Sequence, residues 1–272
     1  MKSRYPLTYL RRFVFCVFIV CLTGLFREHY QTIQHKKYMD NLSSTVKAEE
    51  AEEDTEVIDT GAADNTVEVE ERNTDTQEQP IMDRFAALCA QNNDLTGWIS
   101  IPDTVIDYPV MQCADNEFYL HHDFDKREDR YGCLYVKDIA DVNTPGTNFV
   151  IYGHNMKDGT MFGMLDQYLE QSFYEKHRQI FFDTLYEERK YEIMSVFLSN
   201  ANGDKETGFK YYQFYQADTE EEFAYFYDHI MDKSLHDTGV TAEFGDTFLT
   251  LSTCAYHEED GRIVVVAKRV EE

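Results

Sequence analysis

The chain has 272 residues and a formal net charge of −26, with 51 acidic side chains against 25 basic ones. That length allows one domain of ordinary size plus appendages, and 43% apolar with 14% aromatic residues supplies a real core. So acidic a chain lacks the basic footprint that a phosphate backbone demands, which sets nucleic acid aside as a partner.

The charge is segregated along the chain. Residues 1–47 hold eight basic residues against Glu28 and Asp40, whereas residues 48–79 hold thirteen acidic residues against Arg72 alone. Residues 13–26 (FVFCVFIVCLTGLF) are uncharged and follow Lys2, Arg4, Arg11 and Arg12. The run is short for a spanning helix, but no small-residue cleavage site follows it, only Arg27-Glu28-His29. Residues 1–29 therefore read as a basic cytoplasmic head and an uncleaved single-pass anchor, with the rest of the chain outside the membrane. Residues 48–79 contain no aromatic residue and cannot bury enough apolar surface to offset their ordering entropy. Residues 30–79 are accordingly expected to be an acidic, disordered tether.

The body, residues 80–272, opens on a short helix carrying Ile81, Phe85, Leu88 and Cys89 at helical spacing. Short apolar runs follow at 97–101, 105–111, 132–136, 148–152, 191–198, 247–252 and 263–268. Their Val, Ile, Tyr and Phe content and their turn-rich flanks predict strands, so many of which suggest a sandwich or barrel. A second short helix is predicted over 161–169, and a long one over 218–235, where Phe223, Phe226, Tyr227, Ile230 and Met231 share a face. Asp218 and Glu221 supply its expected capping box. Cys89, Cys113, Cys133 and Cys254 show no C-x-x-C spacing, which argues against structural zinc or a disulfide framework; the first three read as buried, unpaired thiols.

Three residues that can carry chemistry stand at strand ends. Cys254 closes the run Thr247-Phe-Leu-Thr-Leu-Ser-Thr-Cys254, His154 follows Asn148-Phe-Val-Ile-Tyr-Gly153, and Arg262 opens the run from Ile263. Gly153 is expected to let the backbone turn before His154. A thiol is already partly ionised at neutral pH and strongly nucleophilic, an imidazole can protonate a leaving amine, and a guanidinium keeps its charge while donating to an oxyanion. Singly, each residue type has a bland alternative: a core thiol, a structural turn histidine, a surface arginine. His257 is a rival proton donor.

Taken in order, the segments resemble a known family. Leu251-Ser-Thr-Cys254 is similar to the nucleophile motif of sortases. Tyr152-Gly-His-Asn-Met156, with the following Lys157-Asp-Gly-Thr-Met-Phe-Gly163, resembles the histidine segment of class B sortases. Gly261-Arg-Ile-Val-Val-Val-Ala267 resembles the segment with the family's arginine. The long helix before the last two strands and Asp115-Asn-Glu-Phe-Tyr-Leu120 also resemble class B. The resemblance implies a mainly β fold: a closed barrel of about eight strands with an N-terminal helix and a long helix before the last two strands. It implies Cys254, His154 and Arg262 as the catalytic trio, with Ser252 and Asn116 contacting the substrate peptide. It further implies a cysteine transpeptidase that cleaves C-terminal sorting signals of secreted proteins and passes them to a cell-wall amine or a pilin lysine, with neither metal nor organic cofactor. Two alternatives remain open on the residues: a secreted cysteine endopeptidase with water as acceptor, and a non-catalytic tethered surface protein.

Overall fold

The computed structural model describes residues 7–59, 80–202, 208–254 and 260–270. The chain divides into two units, residues 1–41 and 42–272. The first unit is the leading part of helix α1, Leu7–Asp59. By length and composition α1 suffices to cross a membrane, and Phe13, Phe15, Phe18 and Phe26 are all exposed along it.

The second unit is built on one closed barrel. Its strands are β1 (Leu95–Ser100), β2 (Asp107–Met111), β3 (Leu134–Val136), β4 (Asn148–Gly153), β5 (Gln179–Thr184), β6 (Lys190–Asn200), β7 (Phe248–Cys254) and β8 (Gly261–Val270). They close in the order β1-β2-β3-β4-β7-β8-β6-β5, so that among the described residues each strand has a neighbour on both sides. The pairs β2–β3 and β4–β7 are parallel and the others antiparallel. Ile99, Val110, Phe149, Ile151, Phe182, Ile193, Leu249, Leu251 and Val265 are all buried.

A second core lies beneath α4 (Glu220–Asp232), where Phe223, Phe226 and Ile230 pack with Val150, Phe197, Phe248, Val264 and Val266. The central strands are thus covered on both faces, which is why they read as continuous apolar runs in the sequence. The Ser195 hydroxyl donates to the Ile230 carbonyl at 2.6 Å and ties α4 to β6 at its bulge. The cap of α4 lies one residue later than Asp218 and Glu221 suggest. Thr219 Oγ1 accepts from the Glu222 N–H at 3.2 Å, and Glu222 returns its carboxylate to the Asp218 N–H at 2.8 Å. The helix expected over 161–169 is a 3₁₀ helix, Phe162–Leu169, followed by α3, Gln171–Lys176. The opening helix of the body is α2, Asp83–Gln91.

The tether expected over 30–79 is corrected in part: residues 30–59 are helical, and 60–79 lie outside the described residues. Charge counting overlooked an amphipathic stripe. Leu42 and Val46, one turn apart, are buried. Beside them, Ser43 and Lys47 each reach Asp107 Oδ2 at 2.6 Å, and Trp98 Nε1 donates to Asp107 Oδ1 at 2.6 Å. Burial works to raise the Asp107 carboxyl, but these three donors outweigh it and hold the group below its usual range. Arg84, 5% exposed, bridges Glu50 at 3.1 Å, Asp183 at 3.2 Å and Glu188 at 2.8 Å. The folded body therefore includes residues 42–50, ahead of the boundary expected at residue 80.

Cys133 is the buried thiol that the sequence suggests, and burial pushes its pKa well up; Cys89 and Cys113 are only half-buried.

Arg84→Met would leave the Asp183 carboxylate without its buried cation. Burial already raises Asp183 to about 6 with Arg84 opposing. A folded value above the unfolded value of about 4 means that the group's own stabilisation is complete below about pH 4 and lost as pH rises through about 6. The variant should unfold about 3–5 kcal/mol more easily at pH 7.5, the scale of a broken buried pair, and the deficit should shrink below pH 5. Urea denaturation at the two pH values reads both effects.

Candidate active site

Backbone register gathers the three strand-end residues. In the parallel ladder Gly153 pairs with Thr253, so His154 and Cys254 each lie one residue beyond the last pair. In the antiparallel ladder Cys254 pairs with Arg262. The end of β4, the end of β7 and the start of β8 meet at one rim of the barrel. Strand alternation assigns position 252 of β7 and its β8 partner 264 to one face.

Three hydrogen bonds hold the His154 segment. The Phe162 N–H donates to the His154 carbonyl at 3.0 Å, and the buried Thr253 hydroxyl donates to the Gly153 carbonyl at 2.8 Å. Gly153 is required for packing rather than for the turn. A Cβ there would lie 2.3 Å from Leu134 Cδ2 and 2.8 Å from Phe162 Cδ2. The ring itself is fixed by its Nε2, 2.7 Å from the Leu120 carbonyl oxygen. A carbonyl only accepts, so Nε2 carries a proton and Nδ1 is left to exchange one. The His121 ring lies 6.3 Å from that of His154.

Arg262 is half-buried. Its Nη1 donates to the carbonyls of Gly261 at 2.9 Å and Asp260 at 3.2 Å, and its charge reaches the neighbouring Tyr212 phenol. Ser252 is 2% exposed, and its hydroxyl is paired with the Tyr211 hydroxyl at 2.7 Å. Asn116 is locked to Asp138 in a reciprocal clamp. Its Nδ2 donates to the Asp138 carboxylate and its Oδ1 accepts from the Asp138 N–H, both at 2.8 Å. His257 lies outside the described residues. The structure thus brings His154, Cys254 and Arg262 to one rim, sets Ser252 in the wall behind them and holds Asn116 on a neighbouring loop.

Sequence reasoning overlooked the wall beside this rim. Tyr135 and Tyr152 stack at 5.5 Å, and Lys137 Nζ lies 5.2 Å from the Tyr152 ring and 5.9 Å from that of Tyr212. Burial, reinforced by neighbouring phenols, pushes the Tyr152 pKa far up, so it stays a neutral hydroxyl. Lys137 and Tyr212 belong to no recognisable motif; only the register of β3 and β4 pairs Tyr135 with Tyr152.

The arrangement suits acyl transfer: a thiol position, a ring nitrogen for proton exchange and a fixed cation share one rim. The chain is also similar to known proteins. A family model described as the sortase domain matches residues 99–270. Sortase B of Staphylococcus aureus is 35% identical over 194 residues, covering 70% of this chain and 76% of that protein. A Staphylococcus aureus sortase B–substrate complex superposes with a TM-score of 0.70 at 28% identity, covering 88% of this chain and 97% of that one. A sortase B complexed with triglycine gives a TM-score of 0.71 at 28% identity, over 88% and 98% of the respective chains.

Thr253→Val keeps the branched shape but removes the hydroxyl that ties β7 to the Gly153 carbonyl. It should lower stability by about 1–3 kcal/mol, whereas Thr253→Ser, which retains the hydroxyl, should lose less. Paired denaturant melts check the difference.

Proposed function

The chain belongs to the sortase family of cysteine transpeptidases, and from that premise we propose that Cys254, His154 and Arg262 together cleave a C-terminal sorting signal and transfer the released acyl group to an amine. The observation that carries the reading is the register: Gly153 against Thr253 and Cys254 against Arg262.

Cys254 passes its thiol proton to Nδ1 of His154, the resulting thiolate forms a C–S bond to a backbone carbonyl carbon, and the carbonyl electron pair moves onto oxygen. The Arg262 guanidinium donates to that oxyanion, which is absent from the bound substrate, so the interaction lowers the barrier rather than tightening binding. His154 gives its proton to the departing amide nitrogen as the C–N bond breaks, leaving a thioester. An incoming amine then attacks the thioester, His154 takes up its proton, and the thiolate leaves. The sortase B structures solved with a substrate and with triglycine support a peptide donor and an amine acceptor. The acceptor proposed here is an amine of the cell wall or a pilin lysine. Ser252 supports the donor peptide from the wall behind Cys254, and Asn116 does so from the loop clamped to Asp138.

The apolar stretch of α1 and the basic residues before it support a membrane anchor with the catalytic unit outside the cell. Protease added to intact protoplasts should therefore remove the catalytic unit, and complete protection would overturn the topology.

Cys254→Ala should abolish the thioester adduct seen by mass spectrometry with a library of sorting peptides. Arg262→Lys keeps the charge but loses the planar fork, and turnover should fall about 10²–10³-fold with much smaller change in peptide affinity. His154→Ala should stall both acylation and resolution. Release of hydrolysed peptide alone, even with amine present, would favour an endopeptidase. An Arg262→Ala enzyme within about threefold of the parent would remove Arg262 from the mechanism.

A further inference from the structure

The ring of His154 is oriented by a main-chain carbonyl, that of Leu120, rather than by a carboxylate. Leu120 closes the 3₁₀ turn Phe118–Leu120, and its own N–H donates to the Glu117 carbonyl at 3.1 Å. The peptide that presents this carbonyl rests against Gly132, which has φ +58°. A Cβ on Gly132 would lie 2.4 Å from the Tyr119 oxygen, 2.8 Å from the Leu120 oxygen and 2.9 Å from the Leu120 carbonyl carbon. All three are backbone atoms and cannot rotate aside as a side chain would. The next residue, Cys133, donates its N–H to the Tyr119 carbonyl at 2.8 Å, and Asp129 donates to the His121 carbonyl at 2.8 Å. The 118–133 segment thus folds back on the one turn that holds the imidazole.

The geometry points to Gly132 as a positioning residue: by lacking a side chain it lets the Leu120 carbonyl sit where it keeps the proton of His154 on Nε2 and leaves Nδ1 for the reaction. This rests on the reading of His154 as the proton partner. Gly239 provides an internal contrast. It has φ +70°, so it makes a similar backbone demand, but an added Cβ would have nothing within 4 Å. Substitution there strains the chain without touching the histidine.

The test uses the full chain in detergent with ¹⁵N-labelled histidine, the His154 signals being assigned by their loss in His154→Gln. In the parent, neutral His154 should be the Nε2–H tautomer. Gly132→Ala should give mixed tautomers and a kcat reduced about 10-fold or more, within the reach of general acid–base catalysis, with KM within about threefold. Gly132→Asn tolerates a positive φ better but carries the same Cβ, so it should reproduce both effects and serves if the alanine variant fails to fold. Gly239→Ala should lose stability yet keep parental tautomer and kcat. A proton on Nδ1 in the parent would overturn the inference. So would a folded Gly132→Ala or Gly132→Asn enzyme with parental tautomer and rate. Transfer at the parental rate by His154→Gln would instead remove His154 from the proposed mechanism, whatever the tautomer.

Discussion

The parallel ladder between β4 and β7 is the constraint on which the site depends. It runs without irregularity from Asn148 against Phe248 to Gly153 against Thr253. Because the two strands point the same way, both end at one rim, and antiparallel β8 must then begin there. His154, a hundred residues before Cys254, is brought beside Cys254 and Arg262 through main-chain hydrogen bonds alone. Parallel pairing requires a long crossover, and here that crossover contains α3, β5, β6 and α4. The chain between β4 and β7 therefore completes the barrel and supplies the helix that covers it.

A one-residue slip in this ladder would turn every side chain of β7 to the opposite face. Buried polar pairs oppose such a slip, because a shifted partner leaves a desolvated group unpaired. Thr250 Oγ1 donates to Asn148 Oδ1 at 2.7 Å, Asn148 Nδ2 donates to the Phe214 carbonyl at 2.9 Å, and Ser252 is paired with Tyr211. Thr253 adds its bond to the Gly153 carbonyl. These polar residues interrupt the apolar run Phe248-Leu-Thr-Leu-Ser-Thr, and each interruption closes a specific cross-element bond. The aromatic layer beneath α4 supplies non-directional burial, and the polar pairs select the register.

The strands covered on both faces, β4, β6, β7 and β8, were legible as apolar runs, and so was the amphipathic face of α4. Strand β5 was not. In Gln179-Ile-Phe-Phe-Asp-Thr, Ile180, Phe182 and Thr184 are buried while Phe181 is half-exposed, so the alternation is blurred by a large apolar residue on the outer side. The docking of residues 42–50 was hidden because its ion pairs lie among many acidic residues, and composition averages over them. For the candidate site, the sequence displays the reactive side chains. It gave no sign of the Leu120 carbonyl or of the contact made by Gly132, because main-chain atoms and missing side chains carry no chemical label.

The most direct test is the structure of the full chain trapped covalently at Cys254 by a thiol-reactive sorting-peptide analogue. The peptide carbonyl oxygen should lie about 2.7–3.1 Å from a guanidinium nitrogen of Arg262, with His154 still bound to the Leu120 carbonyl and its Nδ1 on the leaving-group side. An adduct whose oxygen is held by other donors, with Arg262 directed away from it, would exclude Arg262 as the oxyanion donor.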